Sequence, residues 1–128
     1  MLEMIVVTAI ITILATVAFP RLAEAIQRAA EGSARANLSV MRHALSFYYG
    51  DAGHYPASMA VLPGPYISAL PVAKGLRNHP DSAAVRIEHA PSDAGGWSYN
   101  NDPLDVGYGT LVINCTHVDE HGKPWASY

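Results

Sequence analysis

A carboxylate set into an apolar run is the first feature of this sequence that could do chemistry. Glu3 is the one charged side chain between Leu2 and Phe19. Holding an acid at hydrocarbon depth costs about 2.5–3.5 kcal/mol on insertion scales, so Glu3 calls for a cation. A chain-terminal amine, with a reference pKa of about 7.7–8.0, is the nearest cation to this stretch, here at Met1. The simpler role is that of an acid at the positive end of its own helix dipole. Asn100, Asn101, Asp102 and Asp105 offer hard oxygens of the kind calcium takes. EF-hand spacing is missing there, and Asn and Asp are ordinary turn residues, so the stretch is read as turns. Cys115, His117 and His121 are soft or borderline donors, but three residues in a terminal segment make no zinc motif, and the histidines are read as surface side chains with no metal assigned. Ser, His and Asp occur without a nucleophile elbow, a phosphate-cradling Gly loop or an HExxH. The chain is therefore read as a non-enzyme with no catalytic residue and no cofactor. Asn37-Leu38-Ser39 and Asn114-Cys115-Thr116 match the N-glycosylation acceptor pattern.

The element that positions Glu3 is an apolar arm, residues 1–20. Its other polar groups are Thr8, Thr12 and Thr16, whose hydroxyls can bond back to helix carbonyls. About eighteen residues at 1.5 Å each reach roughly 27 Å, close to the thickness of a bilayer's hydrocarbon core. A secretory signal would place basic residues first and small residues at a cleavage site last. This stretch begins with a carboxylate and ends in Phe19-Pro20-Arg21, and is expected to be retained.

Leu2-Glu3-Met4-Ile5-Val6-Val7, the run Ala9 to Ala15, and Pro20 resemble the amino-terminal helix of type IV pilins and of the related pseudopilins of type II secretion. That family carries one Glu near the start of an apolar helix and a Pro seventeen residues later, a spacing that Glu3 and Pro20 reproduce. The likeness is close as far as Gly50 and extends in outline to Gly96-Trp97-Ser98-Tyr99 and the closing Trp125 and Tyr128. It departs in one respect: Glu3 lies two positions earlier than the family's mature chains place it.

The resemblance implies a structural subunit, a pilin, that waits in the inner membrane with its head outside the cytoplasm. It then polymerises through its N-terminal helix into a type IV pilus-like homopolymer, extracellular or periplasmic. In the family, Glu3 would pair with the terminal amine of a neighbouring subunit, which assigns Met1, Glu3 and Pro20 to assembly. The implied partners are other copies of the chain, a prepilin peptidase that removes a basic leader and leaves a methylated amine, and the motor-driven assembly machinery. A pseudopilin of type II secretion shares every one of these features. From outside the family, the competing reading is a monomeric binding domain that keeps its helix in the bilayer. Motility, adhesion, DNA uptake and secretion all stay open as roles.

Beyond the arm, residues 21–52 read as an amphipathic continuation of the helix. Pro20 removes one backbone donor and crowds the preceding turn, so a break or kink is expected there. The stretch after it is rich in Ala and other helix formers, with Gly32 as its weak point. Arg21, Arg28, Arg35 and Arg42 recur every seven residues, and Glu24 and Glu31 precede two of them by four. That pattern is read as a solvated stripe with i,i+4 ion pairs. Two apolar faces remain. Ala34, Leu38, Met41, Leu45 and Tyr48 should pack on the chain's own head. Leu22, Ile26, Ala29, Ala36, Val40, Ala44 and Phe47 form an Ala-rich side suited to close helix–helix packing between subunits.

Residues 53–128 make the remaining domain, a small globular head. The 128 residues carry a formal net charge of −3, which leaves no general basic field for nucleic acid. The lone Cys115 excludes an intrachain disulfide. Gly50 to Pro56 should end the helix, Ser58 should cap a single turn, and a Pro-rich connection should carry a short element at Tyr66 to Leu70. Strands are expected at Ala83–His89, Trp97–Tyr99 and Gly109–Asn114, with Trp125 and Tyr128 folded back onto them. The fold class is α+β: a long N-terminal α-helix packed on a small antiparallel β-sheet head.

Overall fold

The computed structural model describes residues Met1–Tyr128. One helix, α1 (Leu2–Ala52), runs for 51 residues, or about 76 Å at 1.5 Å per residue. It passes through Pro20 without interruption, so the expected break does not occur. Proline forfeits one helix hydrogen bond, and the good helix formers on both sides keep the backbone helical. Gly32 also lies inside the unbroken helix, with open space around its Cα. Termination is sharp. Gly53 adopts the left-handed conformation (φ 73°) that glycine takes at low cost, and its N–H reaches the Tyr49 carbonyl at 2.8 Å.

Ser58 then caps one 3-10 turn at Met59–Val61, its hydroxyl accepting the Ala60 N–H at 3.3 Å. The Tyr66 to Leu70 stretch forms turns and an isolated bridge from Ile67 to Pro63 in place of an element of its own. Three short strands follow: β1 (Val85–Ile87), β2 (Trp97–Tyr99) and β3 (Leu111–Ile113), in the order β1-β2-β3. The chain closes with a 3-10 turn at Trp125–Ser127 that packs on β3.

The sheet is mixed, which corrects the expected antiparallel one. Strands β2 and β3 are antiparallel, with Trp97 opposite Ile113 and Tyr99 opposite Leu111. Strands β1 and β2 are parallel, with Val85 beside Trp97 and Ile87 beside Tyr99. The connection between them is long enough to carry the chain back to the beginning of β1 before β2 starts. There Gly95 and Gly96 (φ 76° and 73°) let the backbone close against Ala84, where a Cβ on Gly96 would lie 2.4 Å from the Ala84 carbonyl oxygen.

The core lies between the second half of α1 and the sheet. Ala34, Leu38, Met41 and Leu45 meet Trp97, Tyr99, Leu111 and Ile113, and Met59, Leu62, Leu76 and Trp125 close the sides. The two large aromatic residues of β2 keep their polar tips bonded. The Trp97 indole N–H donates to the Pro71 carbonyl at 2.9 Å, and the Tyr99 hydroxyl to that of Pro56 at 2.8 Å. No buried side-chain nitrogen or oxygen lacks a partner.

Candidate functional site

The head covers only part of α1. From Met1 to Ala29 every residue is exposed except Ala15 and Gln27, which are half-buried. Leu2 is 79% exposed, Ile13 66% and Phe19 70%. The arm's hydroxyls spend themselves on their own helix: Thr8 donates to the Ile5 carbonyl (2.9 Å), Thr12 to Thr8 (2.8 Å) and Thr16 to Thr12 (2.8 Å). With these satisfied, the arm presents an apolar cylinder, and it is long and apolar enough to cross a membrane once (mean hydropathy 2.4). Glu3 lies in its first turn, and Met1 is the residue that caps it. The ion pairs made within the chain all lie at Glu24 or beyond, and none involves Glu3.

Past the arm, the two faces separate. Ala34, Leu38, Met41 and Leu45 are buried in the core with Tyr48 packed against it, as expected. On the other side Leu22 (56% exposed), Ile26 (62%), Val40 (50%) and Phe47 (67%) stand free, with Ala29 and Ala36 exposed between them. Ala44 departs from that set. It is a member of the core, 2% exposed. At 100° per residue it sits about 40° around the helix from Leu22 and Val40, at the margin the head overlaps. Six residues of the Ala-rich side therefore remain available to a neighbour.

The arginine stripe is exposed at Arg21, Arg28 and Arg42, as expected of a solvated face, but three of its four members also reach the head. Arg28 does pair with Glu24 (3.5 Å), but it also binds Glu120 (3.0 Å). Arg35 turns from Glu31 to Asp119 (3.3 Å) and the Tyr128 hydroxyl (3.2 Å), with its guanidinium over the rings of Trp125 and Tyr128. Arg42 donates to the Leu111 carbonyl (2.7 Å) and to the Tyr128 main-chain oxygen (2.5 Å). Glu31 is buried, held by Gln27 (3.1 Å) and Arg77 (3.6 Å). The stripe lies beside the core face and clasps the chain's last ten residues to the helix. Burial pushes the Asp119 carboxyl up. Hydrogen bonds from the Tyr128 hydroxyl and the Lys123 and His121 N–H groups outweigh this and leave it below the usual carboxylate range.

In the Asn100 to Asp105 stretch, one oxygen each of Asn100, Asp102 and Asp105 caps its own turn, while Asn101 donates to the Ala57 carbonyl (2.8 Å) and the second Asp105 oxygen meets His89 (3.0 Å). Asn100 Oδ1 accepts the Asp102 N–H (3.0 Å), Asp102 Oδ1 that of Leu104 (2.9 Å) and Asp105 Oδ1 that of Gly107 (2.6 Å). The amide of Asn37 donates to the Val72 carbonyl (2.9 Å), and that of the fully buried Asn114 to Glu88 (2.7 Å).

His117 is exposed, as expected, but it stands against Cys115. Cys115 is buried, and its Sγ lies 3.5 Å from His117 Nδ1. His79 and Asp93 join them, and one ligand atom from each of the four falls within 4.8 Å of the other three. His121 stays outside this group, beside Glu120 at 3.4 Å. Burial pushes the Cys115 thiol up, whereas the Thr116 N–H holds the Asp93 carboxyl below its usual range. His79 and Asp93 carried no signal in the sequence, since only the fold brings them beside the segment after β3.

Comparison with protein-family models, with curated proteins and with solved structures finds no match.

Proposed function

We propose that this chain is the structural subunit of a filament, a pilin-like protein that polymerises through α1 into a type IV pilus-like fibre. The observation that carries this reading is where the bare apolar surface ends. A bilayer accounts for residues 2–19 and no more. Val40 and Phe47 lie about 30 and 40 Å further along the helix at 1.5 Å per residue, beyond the reach of lipid. They are half or more exposed on the side away from the head. Fully burying a side chain of this size contributes about 1.5–3 kcal/mol. A second copy of the same helix offers that burial along its whole length.

In this reading the arm rests in the inner membrane before assembly and passes into the fibre core afterwards. Both surroundings are apolar, so the transfer need not expose it to water. Glu3 takes its cation from the terminal amine of a neighbour, which sets the axial register. A monomer anchored permanently in the bilayer would leave Val40 and Phe47 unexplained. A secretion pseudopilus uses the same contacts at shorter length.

Electron microscopy of material sheared from cells tests the proposal, with the Glu3→Ala chain alongside. Fibres labelled by antibody to the head are expected from the unaltered protein. The variant should keep a folded head and yield at least tenfold fewer fibres. Cells that make the protein abundantly without labelled fibres would contradict polymerisation. An undiminished yield from Glu3→Ala would contradict the pairing alone.

A further inference from the structure

We infer that His79, Asp93, Cys115 and His117 bind one zinc ion in a closed, tetrahedral site that staples the head. The distances carry the argument. His79 Nε2 lies 3.1 Å from Asp93 Oδ1, His117 Nδ1 lies 3.3 Å from the same oxygen, and Cys115 Sγ lies 3.5 Å from His117 Nδ1. Zinc bonds of about 2.0–2.1 Å to nitrogen and oxygen and about 2.3 Å to sulfur set tetrahedral edges of about 3.4 Å (N to O) and about 3.6 Å (N to S). Three of the six ligand-to-ligand distances thus already stand within about 0.3 Å of those edges, and the other three are within 4.8 Å. An ion entering their midst would draw the remaining pairs together.

The donor set narrows the metal. Thiolate with two imidazoles excludes calcium and magnesium, which take oxygen alone, and with a carboxylate as fourth ligand it suits tetrahedral zinc. Four protein ligands leave no open position, which is the signature of a structural site rather than a catalytic one. As the ion binds, the thiol proton leaves to solvent.

The surroundings hold the ligands in place. Asp93 Oδ1 accepts the Thr116 N–H at 2.8 Å, and the Asp93 N–H donates to Asn114 Oδ1 at 2.9 Å, which orients the carboxylate. Asp93 is the only non-glycine residue with positive φ (62°). Cys115 and His117 also border a cavity of about 250 Å³ that gives an ion a route in. The four ligands come from three separated segments: the loop before β1, the β1–β2 connection and the chain just after β3. One ion would cross-link all three in a head that has no disulfide.

The test uses the full chain without affinity tag, in detergent, stripped with chelator and titrated with cobalt. Tetrahedral visible bands and a thiolate-to-cobalt charge-transfer band should saturate at one equivalent and be bleached by zinc. Zinc should also raise the thermal midpoint of the head. Cys115→Ser should abolish the charge-transfer band. His117→Ala removes a ligand that is 43% exposed and so spares the core. It should weaken zinc binding by more than the about 10–100-fold that outer-shell changes cost. Absence of the charge-transfer band in the unaltered chain would overturn the inference, as would zinc affinity unchanged in both variants.

Discussion

Among individual residues, Asp119 shows how a small head holds on to a long helix. Its Oδ2 meets Arg35 and the Tyr128 hydroxyl, and its Oδ1 takes the His121 and Lys123 N–H groups at 2.9 Å each. An amide in its place would keep the Oδ1 contacts and turn an NH2 towards two donors. Asp119→Asn should therefore cost about 1–3 kcal/mol at neutral pH. Because the folded carboxyl lies below its ordinary value near 3.9, its contribution is complete above that value and is lost as pH falls through the lower folded one. The thermal midpoint should drop below about pH 4 in the unaltered protein and drop less in Asp119→Asn, as circular dichroism melts across pH would show. Some of this scale was legible in the sequence. An acid in an apolar run and three threonines at helical spacing speak for themselves. The partners of Arg35 and Arg42 did not, because they lie some eighty residues away and a seven-residue charge repeat looks the same whether water or the chain's own end meets it. Ala44 was misassigned for a related reason: periodicity gives a face but not how far the head wraps around it.

Among elements, the docking of the head onto α1 turns on one close approach. Gly75 (φ 74°) sits where a Cβ would come within 2.8 Å of the Glu31 nitrogen and 2.9 Å of the Ala30 carbonyl carbon, and its carbonyl accepts from Gln27 Nε2 at 2.6 Å. Gly75→Ala should force the loop off the helix backbone and strain its own, destabilising the head by at least about 1 kcal/mol. Denaturant unfolding followed by tryptophan fluorescence would read this, since both Trp97 and Trp125 are buried in the head. The helix was legible in the sequence apart from its continuity through Pro20, and its end within Gly50 to Pro56 was marked because capping chemistry is local. Strand direction was not. Residues 83–89 and 97–99 alternate identically whether paired parallel or antiparallel, and only the path of the connection between them decides.

At the scale of the whole molecule, the chain is a rod with its head at one end. Half of α1 is left uncovered by the chain's own head, and the exposed apolar side continues past residue 19 to Phe47. The sequence made the arm legible because an uninterrupted apolar run needs no tertiary context. It could not show which side of residues 22–47 the head would leave open. The cluster of His79, Asp93, Cys115 and His117 was hidden for the same reason, its members being assembled by loops rather than by spacing. In the proposed fibre a second copy of α1 covers the face marked by Val40. A photo-crosslinking amino acid placed at Val40, and as a control at the exposed head residue Arg86, tests this in cells. Irradiation should give a ladder of chain-to-chain adducts from position 40 and little from position 86. Adducts no more abundant from position 40 than from position 86 would contradict it.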